Sequence, residues 1–202
     1  MTASNSSIRP AVPDDAEGMA QMSVATYRAA HRGQVPDYLL DTPPLDQAYT
    51  DSARNWRRAL EEIATIPTSR EAVFVAVDDG RIVGIGMGGP RRARDAPPPV
   101  YAAIERYPGE VYTLYVAVSH QRRGIGRRLL RAIFRHLVES GMPSVMIGAL
   151  TANAPARRFY ETVGGRQVGE RPIDVDGTTF PETVYGWDAE DVTRHLYADI
   201  HT

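Results

Sequence analysis

The chain has 202 residues, 43% of them hydrophobic, and a formal net charge of −2. It contains no cysteine, and all 23 of its Lys-plus-Arg residues are arginine, because no lysine occurs in the sequence. These absences exclude disulfide bonds, cysteine-based zinc sites, a cysteine nucleophile, a lysine Schiff base and the lysine of a P-loop.

The size and the apolar content predict a single domain over residues 1–202 with one hydrophobic core. No apolar run approaches the roughly 20 residues that a membrane span needs, and the N-terminal residues lack the apolar core of a signal peptide. We therefore expect a cytoplasmic protein with no membrane contact. The near-zero net charge gives no general reason to expect nucleic-acid binding.

The first half of the chain has the apolar pattern of a strand, helices and a hairpin. Residues 1–7 are polar and are expected to be frayed. Two runs rich in Val and Ile flank Asp78-Asp79-Gly80, which is typical of a β-hairpin. The elements predicted here, in chain order, are a strand over residues 8–12, a helix opening at Asp14 and Asp15, a helix over 46–64, and strands over 71–77 and 81–87.

The second half predicts two buried strands, each followed by a helix, and then a second hairpin. Residues 89–109 contain five prolines, so we expect a loop with at most one helical turn, near residues 101–106. The order of elements predicts an α/β fold, in which a mixed sheet is flanked by helices and a βαβ unit over 110–150 crosses over right-handed. The later elements are strands over 110–118 and 144–150, helices over 124–140, 153–163 and 188–200, and hairpin strands over 166–175 and 179–187 around Asp176-Gly177.

The most informative stretch is the turn between the strand over 110–118 and the helix that follows it. A helix start leaves backbone N–H groups unpaired and carries a partial positive charge, and glycines let an anion approach the backbone. Residues 120–136 also hold six arginines and no Asp or Glu. The pattern favours a phosphate or pyrophosphate site, although arginines on a helix are also typical of a solvated face. The turn reads Gln121-Arg122-Arg123-Gly124-Ile125-Gly126-Arg127.

The residues around this turn resemble the acetyl-CoA-binding motif of the GNAT N-acetyltransferase superfamily. That motif is Leu/Ile-x-Val, followed after a short spacing by Gln/Arg-x-x-Gly-x-Gly/Ala and a helix, and here Leu114 and Val116 precede the turn at Gln121. A second match begins at Asn153 and resembles the family's Asn-x-x-Ala-x-x-x-Tyr motif, which ends in Gly-Phe. Together the motifs cover about residues 110–165, the expected cofactor-binding core.

The resemblance implies how acetyl-CoA would be bound. Main-chain groups of Leu114, Tyr115 and Val116 would pair with the pantetheine arm, and the amide of Val116 would lie near the thioester carbonyl and stabilise the oxyanion. Asn153 would hydrogen-bond the same arm. The pyrophosphate would be bound by the amides of the turn, which comprises Gln121, Arg122, Arg123, Gly124, Ile125, Gly126 and Arg127.

The resemblance also implies two catalytic residues. Tyr160 lies at the family's general-acid position, where a phenol can protonate the leaving thiolate; the alternative is a core position beside Phe159. Glu110 is the candidate base, because a histone-acetylating branch carries its glutamate there, and burial would make it a better base, directly or through a water. The alternative is a solvated strand end. A branch that acetylates protein N-termini has its glutamate at the position of Gly148, so that variant is not supported.

These features predict an N-acetyltransferase that uses acetyl-CoA as co-substrate and acetylates a primary amine of a small molecule or peptide. Because no cysteine can take up the acetyl group, we expect direct attack in a ternary complex. The histidines show no metal-ligand spacing, so no metal is expected. The alternatives are a non-catalytic acyl-CoA-binding or regulatory module on the same fold, and a nucleic-acid binder that uses the arginine cluster. A homodimer is also compatible, since these folds often pair through edge strands or C-terminal hairpins.

Overall fold

The computed structural model describes residues 6–66, 68–94 and 96–197. The chain divides into two units, a first one of Met1–Met87 with Thr113–Ile133 and a second one of Gly88–Tyr112 with Phe134–Thr202. The helices are α1 (Ala16–His31), α2 (Asp37–Asp41), α3 (Leu45–Thr65), α4 (Pro98–Ile104), α5 (Ile125–Glu139), α6 (Ala154–Thr162) and α7 (Ala189–Tyr197). The strands are β1 (Ser7–Pro10), β2 (Ala72–Asp78), β3 (Arg81–Pro90), β4 (Gly109–Val116), β5 (Val145–Leu150), β6 (Arg166–Val175) and β7 (Thr178–Trp187).

The strands form a seven-stranded sheet in the order β1-β2-β3-β4-β5-β7-β6. Strands β4 and β5 pair in parallel, whereas β1–β2, β5–β7 and β6–β7 pair antiparallel. The predicted mixed α/β sheet flanked by helices is therefore confirmed, including the parallel pair joined by a helix. The hand of that crossover and the organisation as a single domain stay predictions. Over the described stretches, every helix is too short or too polar to cross a membrane.

The first unit is built around a cluster of apolar side chains where α5 covers the sheet. Ala76, Val83 and Leu129 are buried in this cluster. Gly84 permits the close approach, because a Cβ atom there would lie 2.9 Å from Cδ1 of Leu129. The hairpin turn after β2 has positive φ angles at Asp79 and Gly80, 53° and 72°, as a two-residue hairpin turn of this type requires.

The start of the chain differs from its prediction. Residues 1–5 lie outside the described residues, but Ser7 already begins β1 and Ser6 is buried, because the guanidinium of Arg128 donates to the backbone oxygen of Ser6 at 2.6 Å. The predicted strand over 8–12 ends early, at Pro10. Asp15 turns the chain there, since its carboxylate accepts the backbone N–H of Val12 at 2.8 Å.

The second unit packs its sheet on two faces. On one face, the ring of Trp187 makes edge-to-face contacts with Phe134 and with Tyr160. The centroid distances are 5.3 Å to Phe134 and 6.3 Å to Tyr160. On the other face, Tyr107 and Met146 belong to a buried cluster that also contains Ile104 and Val184. This second face borders the charged side chains described below.

Several element boundaries differ from the predictions. Strand β3 continues to Pro90, and α4 starts at Pro98, because proline is favoured in the first turn of a helix. Strand β4 ends at Val116 rather than at residue 118, because the chain enters a 3₁₀ turn at Val118–His120. Helix α7 is described to Tyr197, so the end of the helix predicted over 188–200 lies outside the described residues.

Candidate active site

The turn predicted to bind pyrophosphate has an unusual backbone. Gly124 has a φ of +77° and Arg122 has a φ of +62°. The other described non-glycine residues with positive φ, Asp79 and Asp176, lie in hairpin turns, where that conformation is required. A left-handed arginine outside a hairpin is a strained conformation of the kind that clusters at ligand sites.

Side chains of the first unit hold this turn in place. The Gln121 carboxamide donates to the backbone oxygen of Val116 at 3.1 Å and so ties the turn to the end of β4. His120 lies with Nε2 3.3 Å from a carboxylate oxygen of Asp78 and with Nδ1 2.9 Å from the hydroxyl of Ser119. The turn is therefore anchored at its start, through the side chains of His120 and Gln121.

The charge at the turn is positive and open to solvent. Arg122, Arg123 and Arg127 are exposed, whereas Arg128 is turned away to bind Ser6. The backbone N–H groups in the first turn of α5 have no partner within the helix, and the helix dipole adds partial positive charge. These residues fit the diphosphate of a nucleotide cofactor, because its negative oxygens match both the amides and the guanidinium groups.

The strand residues assigned to the cofactor arm use their side chains for packing. Leu114 and Val116 pack against the buried cluster that contains Leu129. Tyr115 alternates to the opposite face, where burial, and secondarily Tyr27, raises the pKa of its phenol above the ordinary value. Because these side chains are used for packing, the main-chain groups of the segment are left for a ligand, as the resemblance implies.

Replacing Gly124 with Ala tests the turn. A Cβ atom at this position would meet nothing within 4 Å, so the strain comes only from the positive φ. We expect a loss of about 1 kcal/mol in the free energy of unfolding together with weaker acetyl-CoA binding. Gly177→Ala is the matched control, because Gly177 has a φ of +80° and equally open space in the β6–β7 turn. Equal acetyl-CoA affinity of the two variants, measured by calorimetry, would contradict the assignment.

The second unit contains the two residues of the downstream motif. Asn153 caps α6, and its Oδ1 atom accepts the backbone N–H of Ala156 at 3.2 Å. This confirms the predicted N-cap and leaves the amide nitrogen of Asn153 as the donor available to a ligand. Tyr160 is buried, and its ring lies against those of Tyr185 and Trp187, at centroid distances of 5.7 and 6.3 Å. The packing fixes the position of the phenol, and its catalytic role stays a proposal.

Glu110 is buried rather than solvated at a strand end. Only 2% of its side chain is exposed. One carboxylate oxygen accepts the backbone N–H of Arg92 at 2.8 Å, and the other lies 3.5 Å from Nη2 of Arg171 and 3.8 Å from Nη2 of Arg94. The carboxylate is therefore oriented by two hydrogen-bond donors, the backbone of Arg92 and the guanidinium of Arg171, and by the ion pair with Arg94.

A second buried carboxylate, Glu182, was not predicted from the sequence. It accepts a hydrogen bond from Nε of Arg171 at 2.6 Å, and its other oxygen lies 4.0 Å from Nη1 of Arg94. Arg171 itself has a completely buried side chain. These residues form a charged row across the second unit, made of Arg171 on β6, Glu182 on β7, Glu110 on β4, and Arg94 from the segment before α4.

The strand registers place this row on one face of the sheet. Arg171 pairs with Glu182 across β6–β7, and Glu110 pairs with Met146 across β4–β5. Cross-strand partners present their side chains to the same face, so Gly148, two residues after Met146, lies on this face between the two carboxylates. Strands β6 and β4 are about 14 Å apart, with two strands between them. The Arg171 side chain can therefore extend to Glu110 only because Gly148, which lies in its path, has no side chain.

Gly148 supplies that space. A Cβ atom built there would lie 2.2 Å from the carboxyl carbon of Glu182 and 2.3 Å from one of its oxygens. The position where one branch of the resembled family carries a catalytic glutamate is thus a glycine here. The space above it is filled by the carboxylate of Glu182, which extends from the neighbouring strand.

Comparison with known proteins agrees with this geometry. A family model described as Acetyltransferase (GNAT) family matches residues 37–164, which is more than half of the chain. The chain belongs to the GNAT acetyltransferase family. It is therefore an acyltransferase. Among curated relatives, it is 27% identical to the uncharacterized N-acetyltransferase YuaI of Bacillus subtilis over 182 residues, which cover 89% of this chain and 91% of YuaI.

Solved GNAT structures share the fold at low sequence identity. The PaiA N-acetyltransferase of Thermoplasma acidophilum, solved in complex with coenzyme A, matches with a TM-score of 0.63 and 14% identity over 89% of this chain and 98% of that one. YncA of Salmonella typhimurium, solved with its cofactor acetyl-CoA, matches with a TM-score of 0.58 and 20% identity over 91% and 94% of the two chains. The seven-stranded mixed sheet is thus a GNAT sheet.

Two positions of this GNAT chain depart from the family pattern. Val118 stands where proline is common, and it begins the 3₁₀ turn that leads to the pyrophosphate-type turn. Arg166 stands where phenylalanine commonly follows the glycine, and here its guanidinium pairs with Asp188 and Asp191 at 2.6 Å each. Neither position belongs to the turn or to the charged row, so neither change alters the assigned site residues.

The charged row has a direct structural test in this GNAT chain. Gly148→Ala would place a methyl group inside the carboxylate of Glu182, so we expect that side chain to move and its ion pair with Arg171 to weaken. Overpacking of this kind costs about 1–3 kcal/mol. A urea titration measures the loss. The control is the same Gly148→Ala change made in a Glu182→Ala background, where the carboxylate that the methyl group would meet is absent, and an equal loss in both backgrounds would contradict the role of the space at Gly148.

Proposed function

We propose that this GNAT chain transfers the acetyl group of acetyl-CoA to a primary amine of a small molecule or peptide, by direct attack with both substrates bound. The observation that carries the proposal is the turn before α5, where positive φ angles, the first turn of a helix and exposed arginines occur together. The two neighbours solved with coenzyme A and acetyl-CoA support the choice of donor.

Residues of the first unit would hold the donor. The amides between Gln121 and Arg127 would bind the pyrophosphate, with the exposed guanidinium groups adding charge-assisted hydrogen bonds. The main chain of Leu114, Tyr115 and Val116 would pair with the pantetheine arm as a strand does. By the resemblance, Asn153 would donate to the pantetheine arm through its amide nitrogen. When bound, acetyl-CoA supplies the acetyl group as a thioester, whose carbon–sulfur bond is exchanged for a carbon–nitrogen bond.

Residues of the second unit would move the protons. Glu110, directly or through a water, takes one proton from the protonated amine, which frees the nitrogen lone pair for attack. Tyr160, whose ring lies on the opposite face of the sheet from Glu110, gives its phenolic proton to the leaving sulfur and regains one from the attacking nitrogen through a water as the new bond forms. The proton on Glu110 returns to solvent, so the products are an N-acetyl amine, a free thiol and one proton. The backbone N–H of Val116 would stabilise the negative charge on the carbonyl oxygen.

The absence of cysteine supports direct transfer, because no thiol of the chain can carry the acetyl group between two half-reactions. Initial rates measured while both substrates are varied test this. We expect reciprocal plots that intersect, and no mass increase of the protein after incubation with acetyl-CoA alone. Parallel plots together with an isolable acetyl-enzyme would overturn the direct mechanism.

A further inference from the structure

The guanidinium of Arg94 lies over both carboxylates of the charged row. Its nitrogens are 3.8 Å from Glu110 and 4.0 Å from Glu182, which is too long for hydrogen bonds but close enough for ion pairs. Its side chain is 29% exposed, whereas those of the two glutamates are 2% and 6% exposed. Arg94 is therefore the member of the row that faces solvent, and it holds the carboxylates loosely.

The charge of the row depends on Arg94. With it, two arginines and two glutamates balance. Without it, Arg171 remains with Glu110 and Glu182, which leaves one net negative charge in a buried place. Removing a buried charge from its partner is unfavourable, so another cation of similar reach would be drawn into the position that Arg94 holds.

Arg171 adds an independent sign of a ligand. Its Nε donates to Glu182 and its Nη2 reaches Glu110, but its third nitrogen, Nη1, is buried and has no hydrogen-bond acceptor among the described residues. A buried donor without an acceptor is costly, and such groups in native proteins point to a missing partner. The partner must be an acceptor such as an oxygen, next to the two carboxylates that favour a cation.

We propose that this row is the acceptor site of the transferase, that Arg94 occupies the place of the substrate cation, and that the substrate is a protonated primary amine with an oxygen acceptor close to the nitrogen. The ammonium displaces Arg94 and contacts Glu110 and Glu182, and the neighbouring oxygen accepts from Nη1 of Arg171. Amino alcohols, amino acid amides and amino sugars share this chemistry. The proposal rests on the proposed function, because it names the acceptor of that same reaction.

Three small amines test the proposal on the full chain. Propylamine and 2-methoxyethylamine are cations at neutral pH and differ in the ether oxygen, whereas methoxyamine is uncharged. We expect 2-methoxyethylamine to have the lowest KM. In the unmodified chain the Arg94 guanidinium competes with the substrate cation, and its removal raises the fraction of protein in which the cation position is open. Arg94→Gln should therefore lower the KM of both cations about tenfold without changing the KM of methoxyamine or acetyl-CoA. Arg106→Gln, which removes an exposed pair with Asp188, should leave all four constants unchanged.

Binding gives a second readout that does not need turnover. Calorimetry without acetyl-CoA should show 2-methoxyethylamine binding more tightly to the Arg94→Gln protein than to the unmodified chain. If Arg94→Gln weakens or does not change the binding of the cations, the proposal is wrong, even if acetylation itself is observed. If no amine releases thiol and acetyl-CoA does not bind, the proposed function is wrong. Tighter amine binding to the Arg94→Gln protein would in that case still show that the charged row binds a cation, so failure of the function and failure of the cation site are distinguishable.

Discussion

Tyr160→Phe should lower the turnover of the transferase by about 100-fold, the lower end of what a general acid contributes, while acetyl-CoA binds as before. The change removes one hydroxyl and keeps the ring, so the contacts with Tyr185 and Trp187 are preserved. Steady-state rates with saturating amine, together with calorimetric titration of acetyl-CoA, give the two quantities.

Tyr185→Phe is the matched control for this experiment. Tyr185 is another buried phenol of the second unit, and its hydroxyl accepts a hydrogen bond from Arg157 at 3.2 Å and donates one to Glu161 at 2.9 Å. Its loss should reduce stability and leave turnover near that of the unmodified chain. Unchanged turnover in Tyr160→Phe would contradict the acid role. If neither variant nor the unmodified chain shows any turnover, the non-catalytic acyl-CoA-binding alternative is favoured.

Arg171→Met should be the most destabilising single change in the charged row. It would leave the carboxylates of Glu110 and Glu182 buried without their main cation, and breaking a buried pair in this way typically costs about 3–5 kcal/mol. The free energy of unfolding from urea titration measures the loss. The large value follows from the complete burial of the Arg171 side chain, since exposed ion pairs contribute little.

Two further variants make this result specific. Arg106→Met removes an arginine whose side chain is 59% exposed and paired with Asp188, so we expect no resolvable change. Arg171→Met combined with Glu182→Leu should be more stable than Arg171→Met alone, because the unpaired charge is removed with its partner. A double variant that simply adds the two losses would show that the row is not energetically coupled.

The sequence predicted the fold because its signals were local and agreed with one another. The Asp78-Asp79-Gly80 and Asp176-Gly177 turns located both hairpins, and α5 ends at Glu139, next to its predicted end at residue 140. The predicted start of β1 was wrong because a side chain distant in sequence fixes the backbone there. Strand β1 begins at Ser7, next to the buried Ser6 that Arg128 binds from α5, and no local sequence pattern indicates that contact.

The candidate site was predictable only where its residues are contiguous in the sequence. The turn from Gln121 to Arg127 is one continuous motif, whereas the charged row draws on strands that pairing alone brings together. Counting back from the two-residue turn at Asp176-Gly177 would have paired Arg171 with Glu182. The role of Gly148 could not be predicted in this way, because it depends on the absence of a side chain between two carboxylates.

The most direct test of the account is thiol release from acetyl-CoA by the full chain, measured with 2-methoxyethylamine and without any amine, alongside mass spectrometry of the product. We expect thiol release that depends on the amine and one N-acetyl product for each thiol. Amine-independent hydrolysis, or no release together with no calorimetric binding of acetyl-CoA, would contradict the claim that this GNAT chain is an amine acetyltransferase.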